Sequence, residues 1–303
     1  MLRAAMTIKD LALLALSTSV CLACGGSDSP VEPPSSGPQI ELRYIPGFFT
    51  LTAQQETVVA GAIDKWTRAV SKNLGAFRLN SPANDCFPGQ PRLNETHQNL
   101  LLLVSIADID GPSRTLAYTQ VCSVSDRDKL PILSHIRIDR ADLDSMEARG
   151  ILPAVITHEI GHALGFNPDS YLPKHLAAGG TSDPHFTGAT ARLKFDEHGA
   201  WYTGVTVPLE DGSGRGPNDP HWRFSVFGDE LMVAFVGRDL KAPLSVITLG
   251  LFADLGYEVD FSVADPYEVA PLFGATRLLP ENSLANDFRV IAPPRVVRPL
   301  ASH

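Results

Sequence analysis

The feature that most constrains this 303-residue chain is one short apolar segment, ILPAVITHEIGHALGF at residues 151–166. The proline near its start suits the first turn of a helix, and Gly165 suits its end. On that helix His158 and His162 lie on one face, one turn apart, where two imidazoles can reach the same metal ion. Glu159 can take a proton from a zinc-activated water as that water attacks. The segment therefore predicts a helix that carries a catalytic zinc site.

A catalytic zinc site needs a third protein ligand, and the residues alone leave its identity open. A histidine three residues after Gly165 would complete the simplest extended motif, but that position is Pro168. A glutamate further along the chain is one option. The other candidates are the later histidines, His175, His185, His198 and His221.

Composition excludes several classes of protein. Hydrophobic residues make up 44% and charged residues 19% of the chain, which excludes a disordered chain, a coiled coil and a polytopic membrane protein. The formal net charge is −9, so the basic surface of a nucleic-acid-binding protein is not expected. The length is sufficient for one sizeable domain.

The N-terminus has the pattern of an export signal. A short positive region precedes an apolar stretch at residues 11–23 that is too short to span a bilayer. The junction Ala23-Cys24-Gly25-Gly26 resembles that of a bacterial lipoprotein, so residues 1–23 are predicted to be removed and Cys24 to be lipidated. An ordinary cleaved signal or a buried helix is the alternative. Residues 24–39, rich in Gly, Ser and Pro, are predicted to be a linker.

Export also bears on the other cysteines. The signal would remove Cys21 and lipid would occupy Cys24, which leaves Cys86 and Cys122. Two cysteines in an exported chain favour one disulfide, with two free buried thiols as the alternative.

Hydrophobic periodicity predicts one catalytic domain over residues 40–280, divided at residue 165. The alternation of helices and strands in the N-terminal lobe, residues 40–165, predicts helices packed against a twisted sheet. Its predicted elements are a helix that starts at Thr52 with a capping box to Gln55 and stops at Gly75, strands at 100–106, 115–121 and 136–138, and the helix that begins near Pro153. The C-terminal lobe, residues 166–280, is predicted to be irregular except for a helix at 244–255. Residues 281–303 are predicted to form an extended, proline-containing tail.

Residues 207–232, VPLEDGSGRGPNDPHWRFSVFGDELM, resemble the leishmanolysin family of metzincin metalloproteases. In that family a long insertion separates the glycine that ends the helix from a His-Trp pair, and Glu-Leu-Met follows. The matching residues here are His221-Trp222 and Glu230-Leu231-Met232. Three other segments are similar to the family, LAYTQVC at 116–122, HFTGATA at 185–191 and LSVITLGLFADLGYEV at 244–259. The long pro-segment and the cysteine-rich C-terminal region of the family are not expected in this chain.

The resemblance implies an α+β, metzincin-like fold and a single zinc site. The N-terminal lobe would contain a twisted mixed sheet and the active-site helix, and the C-terminal lobe would be irregular. His158, His162 and His221 would hold one Zn²⁺ ion, and Glu159 would be the general base.

The resemblance also implies roles for residues around the metal. Met232 would be the methionine of the turn beneath the ion, a soft apolar floor and not a ligand, with an ordinary core methionine as the alternative. Ala117, Tyr118 and Thr119 would belong to an edge strand that binds a peptide substrate as an added strand.

Together these features predict an exported, lipid-anchored zinc endopeptidase at the bacterial cell surface or outer membrane. We expect a monomer that acts on protein or peptide substrates, contacts the membrane through its N-terminal lipid and binds no nucleic acid. A non-catalytic surface lipoprotein of the same fold is the main alternative, although the intact Glu159 argues against it. A zinc hydrolase for a non-peptide amide is another. Asp183, Asp196 and Glu197 could bind calcium, but solvated loop charges are the expectation.

Overall fold

The structure is a computed structural model that describes residues 40–45, 49–199, 206–234, 241–269 and 293–301. The predicted signal sequence, the lipidation site Cys24 and the linker lie outside these residues. In the described part of the chain, no helix has the length and apolar character needed to cross a membrane.

The fold combines helices with a mixed β-sheet. The strands are β1 (Ile40–Tyr44), β2 (Val70–Ser71), β3 (Ala76–Ser81), β4 (Leu93–Gln98), β5 (Leu100–Ala107), β6 (Ala117–Ser125), β7 (Pro131–Asp139), β8 (Ala177–Ala178), β9 (His185–Phe186), β10 (Val207–Pro208), β11 (Glu258–Val259) and β12 (Arg295–Val297). The α-helices are α1 (Ala53–Ala69), α2 (Arg140–Ala148), α3 (Leu152–Leu164), α4 (Pro168–Tyr171), α5 (Ala189–His198), α6 (Phe224–Phe227) and α7 (Val246–Leu255). Short 3₁₀ turns lie at Leu172–Lys174, Gly216–Asn218 and Phe261–Val263.

The main sheet has the strand order β1-β5-β7-β6-β12. Strands β1, β5 and β7 run parallel, β6 is antiparallel to β7, and β12 runs parallel to β6. The apolar run in β5 is buried from Leu100 to Val104, as expected for a strand covered on both faces, so the predicted central strand is confirmed. The predicted strand at 136–138 is part of β7, and the predicted strand at 115–121 is present in β6 from Ala117 onward.

Helices α1 and α3 pack against each other beside the sheet, and α3 also contacts β6 and β7. The predicted capping box of α1 is present. The Thr52 hydroxyl oxygen accepts a hydrogen bond from the Gln55 amide, and the Gln55 side-chain oxygen accepts one from the Thr52 amide. The buried Trp66 joins the two helices, because its indole Nε1 donates to the carbonyl oxygen of Thr157 at 2.8 Å. This packing holds α3 in place.

The predicted end of α1 at Gly75 is wrong. The helix ends at Ala69, and Val70 is extended because it enters β2, which pairs with β11. Gly75 has a φ of +90°, in the left-handed region that favours glycine, but it serves a turn before β3.

The second half of the chain is more regular than its sequence predicts. Helix α7 is confirmed, and α5 lies inside the segment predicted to be irregular. Only Ala191 and Phe195 of α5 are buried, so its apolar pattern is too sparse to reveal a helix from sequence.

The described part of the predicted tail, residues 293–301, is extended and attached to the fold. Strand β12 pairs with Ser123–Ser125 of β6, and the Leu300 amide donates to the carbonyl oxygen of Ala76 at 2.7 Å. The predicted disulfide is present as well, between Cys86 and Cys122. It joins the loop after β3 to the middle of β6.

Candidate metal centre

Helix α3 places His158 and His162 one above the other, with ring centroids 4.6 Å apart. Both side chains are buried, because the helix packs between α1 and the sheet. Gly165 ends the helix at a φ of +136°, where a residue with a Cβ would be strained. The chain can therefore turn sharply directly below the two histidines.

His221 reaches the same point from a distant part of the sequence. The 3₁₀ turn at Gly216–Asn218 leads into it, and its ring lies 5.5 Å from that of His158 and 5.1 Å from that of His162. One nitrogen from each of the three rings lies within 4.8 Å of the other two. All three side chains are buried, so the structure brings together the residues that the resemblance implies.

Each of the three imidazoles has an oxygen acceptor at its Nδ1 atom. The Nδ1 of His158 lies 2.6 Å from the carbonyl oxygen of Leu231, that of His162 lies 2.8 Å from the carbonyl oxygen of Phe166, and that of His221 lies 2.6 Å from Oδ1 of Asp219. Because these oxygens accept hydrogen bonds, the proton of each neutral ring belongs on Nδ1. Each Nε2 atom then carries a lone pair.

These lone pairs face one another. The Nε2 atoms of His158 and His162 are 2.9 Å apart, a contact that is repulsive unless a proton or a metal ion lies between them. Two nitrogens bound tetrahedrally to one zinc ion lie about 3.3 Å apart, close to this separation. The donor set, its burial and its orientation therefore fit a zinc ion held by the three Nε2 atoms.

Asp219 supports the third histidine from a buried position. Burial opposes its ionisation, but hydrogen bonds and charges from His221, Ser213 and Arg215 outweigh burial and hold its pKa below the usual range. An ionised Asp219 fixes the orientation of His221 and makes its Nε2 a stronger donor to a metal.

Glu159 is fully buried between α3 and β6. The hydroxyl of Thr119 lies 2.6 Å from its Oε2 atom and 2.9 Å from its backbone oxygen. Thr119 and its neighbours Ala117 and Tyr118 all lie in β6 and are buried. The predicted substrate strand is thus adjacent to the predicted general base.

Met232 packs under the helix that carries the histidines. A Cβ added to Gly161 would lie 2.7 Å from its Sδ atom, so the glycine makes room for the methionine. The turn at Met232 contacts both segments that carry the histidines. The Leu231 carbonyl oxygen lies 2.6 Å from the Nδ1 of His158, and the Met232 carbonyl oxygen accepts from the Trp222 amide at 2.9 Å, next to His221. Met232 therefore packs against α3 at Gly161.

Glu230 organises this turn from a fully buried position. Its carboxylate accepts hydrogen bonds from the Met232 amide, the Ser245 amide and hydroxyl, and the Thr248 hydroxyl. Burial raises the pKa of Glu230, and these hydrogen bonds oppose that rise. Thr248 also accepts from the indole Nε1 of Trp222 at 2.8 Å, so one network links the turn to the residue after His221.

The other candidate ligands lie elsewhere. His175 is exposed, the Nδ1 of His185 lies 2.8 Å from the carbonyl oxygen of Asp183, and that of His198 lies 3.4 Å from Glu268. Among the described residues, the histidine triad is the one cluster of this kind that could hold a metal. Of the three carboxylates weighed for calcium, Asp196 and Glu197 lie in helix α5, so the expectation that they are loop charges is wrong. Asp183 pairs with Arg223, and Glu197 pairs with Lys194.

The comparison with known families agrees with this geometry. The sequence model of the leishmanolysin peptidase family matches residues 93–276, more than half of the chain. The chain belongs to the leishmanolysin family. The match includes the histidine helix, His221 and the turn at Met232.

Curated leishmanolysins are similar at moderate identity. Leishmanolysin from Leishmania tropica is 27% identical over 183 residues, which cover 58% of this chain and 27% of that protein. The leishmanolysin homolog from Crithidia fasciculata is 30% identical over 200 residues, which cover 62% of this chain and 30% of that protein. Leishmanolysin from Leishmania donovani is 28% identical over 212 residues, which cover 67% of this chain and 34% of that protein. The matched region thus spans about a third or less of the length of these relatives.

Sequence reasoning missed three parts of this site. It assigned no role to Asp219, to the Thr119 side chain or to the Glu230 carboxylate. Asp219 had a recognisable signal, because it lies two residues before a proposed histidine ligand and ligating histidines commonly donate to a carboxylate. The contacts of Thr119 and Glu230 join distant segments and have no local signature.

Proposed function

We propose that this leishmanolysin-family chain is a zinc-dependent endopeptidase. The observation that carries the proposal is the convergence of three buried imidazoles, each with Nδ1 on an acceptor, beside the buried carboxylate of Glu159. His158, His162 and His221 would hold the ion through their Nε2 atoms. A three-histidine site with one open position is the arrangement of catalytic and not of structural zinc.

The chain's residues would divide the chemistry between them. Zinc, when bound, supplies Lewis acidity that polarises the scissile carbonyl and lets a water molecule lose its proton near neutral pH. Glu159 takes that proton on its carboxylate and later delivers it to the amine that leaves. Asp219 keeps the Nδ1 proton of His221 in place throughout, and Met232 gives the site an apolar floor.

A peptide substrate would pair with the outer edge of β6 near Thr119. The Leu116 carbonyl accepts from the Asp139 amide, so the alternation of an antiparallel ladder points the backbone groups of Ala117 and Thr119 away from β7. In the described part of the chain, β12 pairs with this edge only at Ser123–Ser125. The proposed pairing would use these outward-facing backbone groups of Ala117 and Thr119 as its donors and acceptors.

Cleavage of unfolded casein tests the proposal. The purified protein should cleave casein at internal bonds, lose activity with a zinc chelator and regain it when zinc is returned. Glu159→Gln should keep its zinc and lose about 10²–10⁴-fold in rate, because proton transfer and not metal binding is removed. A folded, zinc-loaded protein that cleaves neither casein nor a peptide library would favour the non-catalytic binding protein instead.

We also propose that Cys24, which lies outside the described residues, anchors the protein through a lipid. The support is the Ala23-Cys24-Gly25-Gly26 junction after an apolar stretch. In a bacterial host the parent and Cys21→Ser should incorporate labelled fatty acid, whereas Cys24→Ser should not. Equal labelling of the Cys24→Ser protein would reject the anchor and leave the peptidase proposal untouched.

A further inference from the structure

We propose that Thr119 is the positioning residue for Glu159, holding the carboxylate of the general base in its working orientation through the side-chain hydroxyl. This inference rests on the proposed function, since it assigns a partner to the base of that reaction. It differs from the backbone role proposed for the same strand, because it concerns the hydroxyl alone.

The Thr119 hydroxyl contacts both the side chain and the backbone of Glu159. Thr119 Oγ1 lies 2.6 Å from Glu159 Oε2 and 2.9 Å from the Glu159 backbone oxygen. The shorter distance falls in the range of hydrogen bonds from a hydroxyl to an ionised carboxylate, which are about twice as strong as neutral ones. Both residues are fully buried, so the low local dielectric strengthens the contact further.

The position of Thr119 in the sheet is fixed independently of Glu159. It lies opposite Ile136 in the β6–β7 ladder, and β6 is the strand of the sheet against which α3 packs most extensively. A β-branched side chain has few χ1 rotamers, so the hydroxyl has little freedom to move. Thr119 can therefore act as a fixed point for a longer and more flexible side chain.

Glutamate needs such a fixed point more than most catalytic groups do. Its carboxylate is separated from the backbone by three rotatable bonds, and a displacement of about 1 Å can cost about 10²-fold in rate. A hydroxyl both donates and accepts hydrogen bonds. The Thr119 hydroxyl can therefore donate a hydrogen bond to the Glu159 carboxylate, 2.6 Å away.

Two variants separate the hydroxyl from the shape of the side chain. Thr119→Val keeps the volume and the branching but removes the hydroxyl, whereas Thr119→Ser keeps the hydroxyl. With a peptide substrate, Thr119→Val should lower kcat by about 10- to 100-fold with KM and zinc content close to those of the parent. Thr119→Ser should recover most of the lost kcat. A kcat within twofold of the parent in Thr119→Val would overturn the inference, as would equal losses in both variants.

Crystal structures of the zinc-free variants give a readout that does not depend on activity. The Glu159 carboxylate should occupy one orientation in the parent and in Thr119→Ser, and several in Thr119→Val. One shared, equally ordered orientation in all three proteins would overturn the inference. If the parent protein cleaves nothing, the proposed function fails, but these structures still decide whether Thr119 positions Glu159.

Discussion

Asp219 and His221 are joined by a buried hydrogen bond of 2.6 Å between Oδ1 and Nδ1. A second contact holds the carboxylate, because Arg215 donates to Oδ2 at 3.2 Å. The last predicted zinc ligand is therefore oriented by a charged partner two residues away. Outer partners of this kind are typically worth 10- to 100-fold in metal affinity.

Replacing this carboxylate should weaken zinc binding without removing a ligand. Asp219→Asn should lower zinc affinity by about 10-fold, because the amide has no charge and its oxygen is a weaker acceptor for the Nδ1 proton. Competition with a chromophoric chelator measures the change. Asp211→Asn is the matched control in the same loop, since Asp211 is exposed and pairs only with Arg223 among the described contacts. Equal affinities for parent and Asp219→Asn would contradict the role of Asp219.

A pair of glycine-to-alanine changes tests the packing under the metal. A Cβ at Gly161 would meet the buried Met232 and also lie 3.1 Å from Trp66, so Gly161→Ala should destabilise the protein by about 1–3 kcal/mol. A Cβ at Gly61, on the exposed side of α1, meets nothing within 4 Å. Gly61→Ala should therefore stabilise the protein by about 0.5–1 kcal/mol. Denaturant unfolding measures both, and the same sign for the two variants would argue against this packing.

The Glu230 network should be required for the turn at Met232. Glu230→Gln places an amide group where hydroxyl and amide donors now point, and we expect a loss of about 2–4 kcal/mol in unfolding free energy. Glu258→Gln, on an exposed position of β11, should change stability by less than about 0.5 kcal/mol. A Glu230→Gln protein as stable as the Glu258→Gln control would show that the buried carboxylate does not hold the turn.

The disulfide should contribute strongly to stability. It closes a separation of 36 residues, for which chain entropy gives about 4 kcal/mol. It also fixes the loop that covers the sheet, where Phe87 stacks on the buried His135 with ring centroids 3.4 Å apart. The double variant Cys86→Ser, Cys122→Ser should lose about this much in urea unfolding. In the parent, Cys86 and Cys122 should resist thiol-labelling reagents until the protein is reduced. Rapid labelling at Cys86 and Cys122 in the unreduced, folded parent, located by mass spectrometry, would show that the bridge does not form.

Local sequence patterns were sufficient to predict those parts of the fold and the site that lie on a single helix or strand. The spacing of His158, Glu159 and His162 fixes their placement on a helix, and the apolar run of β5 identifies a central strand. The capping box at Thr52 was equally readable, because every group in it lies within one turn.

Features set by distant segments could not be derived in this way. His221 was identified only by resemblance, since three other histidines lie closer to α3 along the chain. Loop length is a weak guide to such contacts, because the entropy of closing a loop rises slowly with its length. The predicted end of α1 was wrong for a related reason. Val70 pairs with β11, which lies nearly 190 residues further along the chain, and is therefore in a strand.

The zinc content of four histidine variants tests the central claim most directly. His221→Ala removes a proposed ligand, while His175→Ala, His185→Ala and His198→Ala remove side chains that lie outside the triad. After equilibration with a zinc buffer, the parent and the last three variants should each hold close to one zinc ion per chain. His221→Ala should hold far less, because the open site has lost one of its three protein donors. Parent-like zinc binding by a folded His221→Ala protein would contradict the assignment of the metal centre.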